Sequence, residues 1–321
     1  MANDFLKGGG LQVPTKAEEL EHAQISGVHG KKVFVVGTDG NQIDVSNAEN
    51  QGKYKDTDGV LHGFINNAGS PQIYSQDYLL AMAEGDIVGH TGFMKFGRVS
   101  GVNNTLVDVW AGEGGTASLY VFPPSAIQMN VVSSSPNDDL GNTGIEKIMI
   151  VGLDSTYDEI SEEITMDGVT AVTTTKSFLR INSCYATQTG SVGSAVGTIT
   201  VKNTANTITY SVISIELTAC RQMIYTVPVG KTLYLTSITT ASGAGGNALK
   251  LNATVFTPKV KLFGSTVFLP QGELLTLNSD IVRNLEVPSV IPEKSDLKMS
   301  VIGDYSAGGT LCIVAVRGWL E

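Results

Sequence analysis

Along Ile145–Tyr185 the apolar and polar positions alternate. Ile160, Ile164 and Met166 are interleaved with Glu159, Ser161, Glu163 and Thr165, the period of two that a half-buried strand requires. Asp167-Gly168 follows at once, a dipeptide suited to a tight hairpin. Val169, Val172 and a run of threonines then supply β-branched residues that favour extended backbone. The stretch predicts three or four strands in a meander, and most of the chain after it reads alike.

From Gly92 onward strand and turn signals recur about every ten residues. They predict strands near Phe93–Phe96, Thr105–Trp110, Leu119–Phe122 and Ile127–Val132, then the meander, Val196–Val201 and Thr207–Leu217. A second group runs through Ile224–Thr240, Leu249–Phe256, Val260–Leu269, Glu273–Leu277, Ile281–Val287, Leu297–Ile302 and Thr310–Arg317. No fixed repeat period is visible, which excludes a solenoid or propeller. Residues Met1 to about Ser75 differ: Lys16–Gln24 can form two helical turns, Gly30–Val45 reads as a hairpin turning at Asp39-Gly40, and Asn47–Asp58 reads as loop. Ser75–Glu84 predicts a short helix, with Ser75 as N-cap and Gly85 as stop. The expected fold is therefore all-β: a jelly-roll-like β-sandwich, in one or two sandwiches, with an N-terminal arm and one short helix. The expected divisions are an arm at residues 1–91, a β-sandwich unit at 92–222, and at 223–321 a second sandwich or the completing half of a jelly roll.

Composition narrows the function. The 321 residues are 42% hydrophobic, enough for a sizeable core, but only 16% charged, below the roughly 25% usual in soluble domains. Thr, Ser, Asn and 36 glycines fill the deficit. A net charge of −10 argues against nucleic acid as the main partner, because phosphate binding needs a basic surface. No run of about 18 apolar residues predicts a membrane span, and the first residues lack a signal-peptide core. Cys184, Cys220 and Cys312 are odd in number and sit in apolar contexts, so free buried thiols are expected and synthesis in a reducing cytoplasm with them.

Candidate chemistry is sparse. Gly230-Lys231-Thr232 has the end of a phosphate-binding loop, but Tyr225 stands where the motif needs its first glycine, and no helix start follows. Asn137, Asp138, Asp139 and Asn142 cluster oxygens that suit either a turn or Ca²⁺, without EF-hand spacing. His22 and His29 lack the spacing of a helical zinc pair. Asp158, Glu159, Glu162 and Glu163 form an acidic run in which two carboxylates are conceivable as glycosidase acid and base, although a solvated strand face carries such charge by default. Trp110 and Trp319 are candidates for a sugar platform or for core packing. With no nucleophile elbow either, no catalytic, cofactor or metal residue is assigned, and the chain reads as a non-enzyme.

The run Val131–Ser183, with its Ser133–Ser135, Asp138-Asp139 and Gly141–Gly144 loop, its Val151–Glu163 turn and its Thr173–Arg180 strand, resembles virion structural proteins of tailed bacteriophages of aquatic type. Gly197–Val201, Tyr225–Ile238 and Ile291–Ser300 resemble later strands of the same proteins, so the likeness covers about Gly92–Arg317. It implies a virion location and architecture, and transfers no site residue. The expectation is a capsid decoration, cement or vertex protein that binds copies of itself and the major capsid protein or neighbouring virion proteins. A tail fibre or receptor-binding protein is the alternative, and a carbohydrate-binding module or glycoside hydrolase is a third.

Overall fold

The computed structural model describes residues 87–112, 116–243, 253–304 and 309–321, four short strands between residues 34 and 63, and Met82. The chain divides into two compact units, Met1–Asp86 and Ile87–Glu321. In the first, β1 (Phe34–Val36) pairs antiparallel with β2 (Gln42–Asp44), Val35 opposite Ile43, the hairpin that Asp39-Gly40 predicts. β3 (Lys53–Lys55) pairs with β4 (Leu61–Gly63), so the expected loop Asn47–Asp58 contains a strand. Three residues are too few for alternation to show. Of the predicted helix Ser75–Glu84 only Met82 is described, helical and buried; Lys16–Gln24 lies outside the described residues.

All named elements of the second unit are strands. In chain order they are β5 (Thr91–Val102), β6 (Val107–Asp108), β7 (Met129–Ser133), β8 (Ile145–Leu153), β9 (Glu159–Thr165) and β10 (Val172–Thr173). β11 (Arg180–Thr189), β12 (Ile199–Asn203), β13 (Thr209–Ile213), β14 (Ile224–Thr226), β15 (Leu233–Ser242) and β16 (Ala253–Lys261) follow. The last are β17 (Leu269–Pro270), β18 (Leu274–Leu277), β19 (Asp280–Ile291), β20 (Asp296–Gly303) and β21 (Thr310–Leu320).

Two sheets built from both ends of this unit form a jelly roll. One has the order β19-β15-β21-β5 and the other β14-β20-β16-β18, with β6 also on β20 and β17 also on β16. Taking β5, β14, β15, β16, β18, β19, β20 and β21 as strands one to eight, the sheets run six-three-eight-one and two-seven-four-five. That is the double Greek key of an eight-stranded jelly roll. Strand alternation makes the core: Leu297, Met299 and Val301 of β20 meet Val99 of β5 and Cys312, Val314 and Val316 of β21, all buried.

A complete second sandwich is inserted between β6 and β14. Its sheets are β10-β7-β12-β13 and β11-β8-β9, closed on Met129, Ile148, Ile150, Phe178, Ile199 and Tyr210. The expected division at 92–222 and 223–321 therefore does not follow the sheets. Thr91–Val102 pairs with β21, Val99 opposite Cys312, and Val107–Asp108 pairs with β20. Alternation within β5 marks its buried face but is silent about a ladder partner some two hundred residues away. The meander is corrected for the same reason. β8 and β9 pair as expected, Ile148 opposite Ile164. At Asp167-Gly168, however, the chain crosses to the other sheet, where Val172 lies opposite Val131, before β11 returns to the far edge of β8. Gly168 has φ +54, and a Cβ there would lie 2.9 Å from Pro136 Cα, so the crossing needs glycine.

All three cysteines are free and buried. The Cys184 N–H donates to Cys220 Sγ at 3.2 Å. Burial pushes the Cys312 thiol up to about 12, and burial followed by the neighbouring Cys220 raises Cys184 well above an ordinary thiol. Thiolate is the reactive form. An aromatic disulfide reagent should therefore label none of the three in the native protein and all of them in denaturant; fast native labelling of any one would contradict this packing.

Candidate functional site

The structure disperses the residues that drew attention in the sequence. Asp138 is fully buried and accepts hydrogen bonds from Ser133 Oγ at 2.6 Å, Ile145 N at 2.9 Å, Val196 N at 3.0 Å and Gly197 N at 2.8 Å. Both oxygens face protein hydrogens, which is the wrong polarity beside Ca²⁺. Asp139 accepts from Leu140 N and Asn142 Nδ2. Among the described residues no three His, Cys, Asp or Glu are grouped to hold a metal ion.

The acidic run is equally occupied. Glu162 accepts from Thr175 N, Thr175 Oγ1 and Lys176 N at 2.7–3.0 Å, and Glu163 lies 3.3 Å from Lys147. Glu159 and Glu163 share the outer face of β9. Four residues of strand separate them by about 13 Å, beyond the ~9.5 Å upper limit for a glycosidase pair. Thr156 Oγ1 lies 2.7 Å from carboxylate oxygens of both Asp154 and Asp158 in the β8–β9 turn. Gly230 (φ +71) and Lys231 form a turn, and the Gly230 N–H donates to Glu293 Oε2 at 2.6 Å, so a carboxylate already holds the amide a phosphate would want. His22 and His29 lie outside the described residues, and His90 Nε2 sits 3.7 Å from Glu321 Oε2. Trp110 is 2% exposed and donates to Ser118 O. Trp319 stacks on Tyr234 with centroids 5.2 Å apart.

What the fold does assemble is a polar seam between the two sandwiches. Its centre is Asp296 on β20, 1% exposed. Arg180 on β11 grips it with Nε to Oδ1 at 2.7 Å and Nη2 to Oδ2 at 3.1 Å, a fork-on-carboxylate pair. Lys261 Nζ lies 2.7 Å from Oδ2, and Thr226 Oγ1 donates to Oδ1 at 2.6 Å. Burial alone would raise the Asp296 carboxyl. The hydrogen bond and charge of Arg180, with hydrogen bonds from Lys261 and Thr226, outweigh it and hold the group below the usual carboxylate range.

Hydrogen bonds extend this centre in both directions. Asn182 on β11 exchanges two 2.9 Å bonds with the Thr226 backbone on β14, and Gln222 Nε2 donates to Ile181 O. Lys95 on β5 donates to Asn182 O, and Val229 N donates to Tyr157 O at 3.0 Å. Beside them Asp108, fully buried, receives Lys298 Nζ at 2.8 Å, Ser300 Oγ at 2.6 Å and Tyr120 N at 2.8 Å. Phe122 and Phe268 stack at 5.7 Å. The Arg180 guanidinium lies 5.0 Å from the Phe122 centroid and the Lys298 ammonium 4.6 Å from that of Phe268, within cation–π range. Every anion in this seam has a cation and hydroxyl or amide donors around it. The arrangement fixes orientation: planar forks and amide pairs tolerate little rotation of one sandwich against the other. Sequence reading missed it because Arg180 and Asp296 belong to different strand groups and carry no local signature.

No protein-family model matches this chain and no curated protein matches it. Solved structures with partial likeness include infectious bursal disease virus, Gt strain, at 11% identity and TM-score 0.19, covering 72% of each chain. T=1 particles derived from infectious bursal virus match at 11% identity and TM-score 0.18, over 73% of this chain and 74% of that one. At such TM-scores the backbone traces diverge too far for the likeness to carry an argument. Among the described residues no helix is long and apolar enough to cross a membrane.

Proposed function

We propose that this chain is a virion structural subunit of a tailed bacteriophage, a self-associating capsid decoration, cement or vertex protein. A jelly roll is an architecture common to viral capsid and lectin domains, which is fold-level support and does not by itself assign a role. The observation that carries the reading is on the surface. Nine large apolar side chains between Leu262 and Val290 are at least 44% exposed, among them Phe263, Leu275, Leu277 and Val287. Exposed apolar patches of this kind mark interaction sites, and here β17 and β18 share one edge of β16 while β19 touches β18. Leu275 and Leu277 point outward from the edge strand β18 beside Val255 and Ala253 of β16, and copies packed against that edge would cover both its apolar side chains and its unpaired backbone. Charge depletion suits a subunit whose faces are partly covered by neighbours.

Light scattering over a concentration series should show a discrete oligomer of the full-length protein. Leu275→Lys with Leu277→Lys should shift it toward monomer while leaving the thermal transition within a few degrees, since both side chains already face water. A monomer at every concentration would defeat the self-association reading.

A further inference from the structure

β19 follows β15 at both ends and leaves it in the middle. Leu235 pairs with Ser289 and Ser237 with Asn284, so Leu285–Pro288 bulges out over the single residue Thr236. Beneath the bulge a cleft of about 150 Å³ opens between the two sheets of the jelly roll. Its inner wall includes the core residues Val260, Leu274 and Leu297, and its polar lining comes from Gln271, Arg283 and Ser289. An apolar cavity of this size takes roughly one benzene-sized group.

An open sheet edge is ordinarily a place for another strand. Here the bulge, Pro288 with no N–H to donate, and the charges of Asp280, Arg283 and Glu286 blunt the β19 edge. A strand is therefore a poor fit and a compact ligand a better one. Arg283 makes no ion pair or hydrogen bond among the described residues. In a chain of net charge −10, an unengaged guanidinium at the mouth of an apolar cleft is complementary to an anionic head on an apolar body, and its fork matches a carboxylate.

We propose that this cleft binds a small carboxylate bearing one ring-sized apolar group, with the ring seated toward Leu274 and Leu297 and the carboxylate on Arg283. The inference does not rest on the virion reading: Val287 lies on both surfaces, but Leu275 and Leu277, the edge proposed for self-association, do not line the cleft. Phenylacetate, benzyl alcohol and acetate, titrated into full-length protein and followed by saturation-transfer NMR, test it. Phenylacetate is expected to bind saturably and at least tenfold more tightly than the other two. Arg283→Gln, a change at an exposed side chain, should erase the preference over benzyl alcohol. Val287→Trp, at a cleft residue 79% exposed, should weaken both aromatic ligands by filling the mouth. Equal binding of phenylacetate and benzyl alcohol by the unaltered protein, an undiminished preference in Arg283→Gln, or no saturable phenylacetate binding would each overturn the proposal.

Discussion

Replacing Asp296 by alanine should destabilise the second unit by about 3–5 kcal/mol, the cost of leaving buried cationic partners without their anion. Arg180 has only 8% of its side chain exposed and Lys261 22%, so water can compensate the lysine better than the arginine. At ~2–4 °C per kcal/mol for a unit of this size, the thermal midpoint should fall by on the order of 10 °C. Urea unfolding measures the same loss directly. Asp296→Asn, which keeps shape and one acceptor oxygen but no charge, should lose less than alanine. A loss below about 1 kcal/mol for alanine would mean that the seam is hydrated and its ion pairs act like surface ones.

The pH dependence has a definite sign. Asp296 is held below its ordinary value in the folded state, so the unfolded chain takes up its proton first as acid is added. The contribution is complete above the unfolded carboxyl value, about 3.9, and is lost as pH falls through the lower folded value. Acid unfolding of the unaltered protein should therefore steepen below about pH 4. The Asp296→Asn variant should show a shallower slope there, and identical acid profiles would remove Asp296 from the account.

The second large effect is expected at Asp138. Alanine there removes the acceptor for three backbone amides and the Ser133 hydroxyl. A buried donor left unpaired costs about 1–3 kcal/mol, and partial relaxation with water entry should bring the total to about 4 kcal/mol. Unlike Asp296, which ties two sandwiches together, Asp138 ties the ends of β7, β8 and β12 within the inserted sandwich. Hydrogen exchange should therefore accelerate first at Ile145, Val196 and Gly197, while the jelly-roll amides of β20 and β21 keep their protection. Asparagine restores one acceptor oxygen and turns an N–H toward donors, so it should recover only part of the loss. Urea midpoints indistinguishable between Asp138→Ala and the unaltered chain would show that the loop does not depend on its carboxylate.

These two carboxylates were unequally legible in the sequence. Asp138 sits in a loop whose Ser, Asn, Asp and Gly content already announced tight local hydrogen bonding, although the same content also suited a calcium ion. Only the positions of the Val196 and Gly197 amides, about sixty residues away, decide between the two. Asp296 in Ser295-Asp296-Leu297 reads as an ordinary strand-edge acid. Its burial depends on Arg180 and Lys261 arriving from other strands.

The sequence by itself determined that this chain is β-rich, where most of its strands lie and which of their residues face a core, because those follow from a period of two and from turn chemistry within a few residues. It also determined that the three thiols are buried and that no familiar catalytic spacing is present. The tertiary structure alone decided which strands pair. It assigned β5 to β21 rather than to its neighbours, sent the chain across the sandwich at Gly168, and nested one sandwich inside the connection between β6 and β14. Alternation specifies a face, and a face can be buried against any sheet of matching register. Partner choice, and with it the buried charges of the seam and the cleft beneath β19, is settled by long-range packing that no local pattern records.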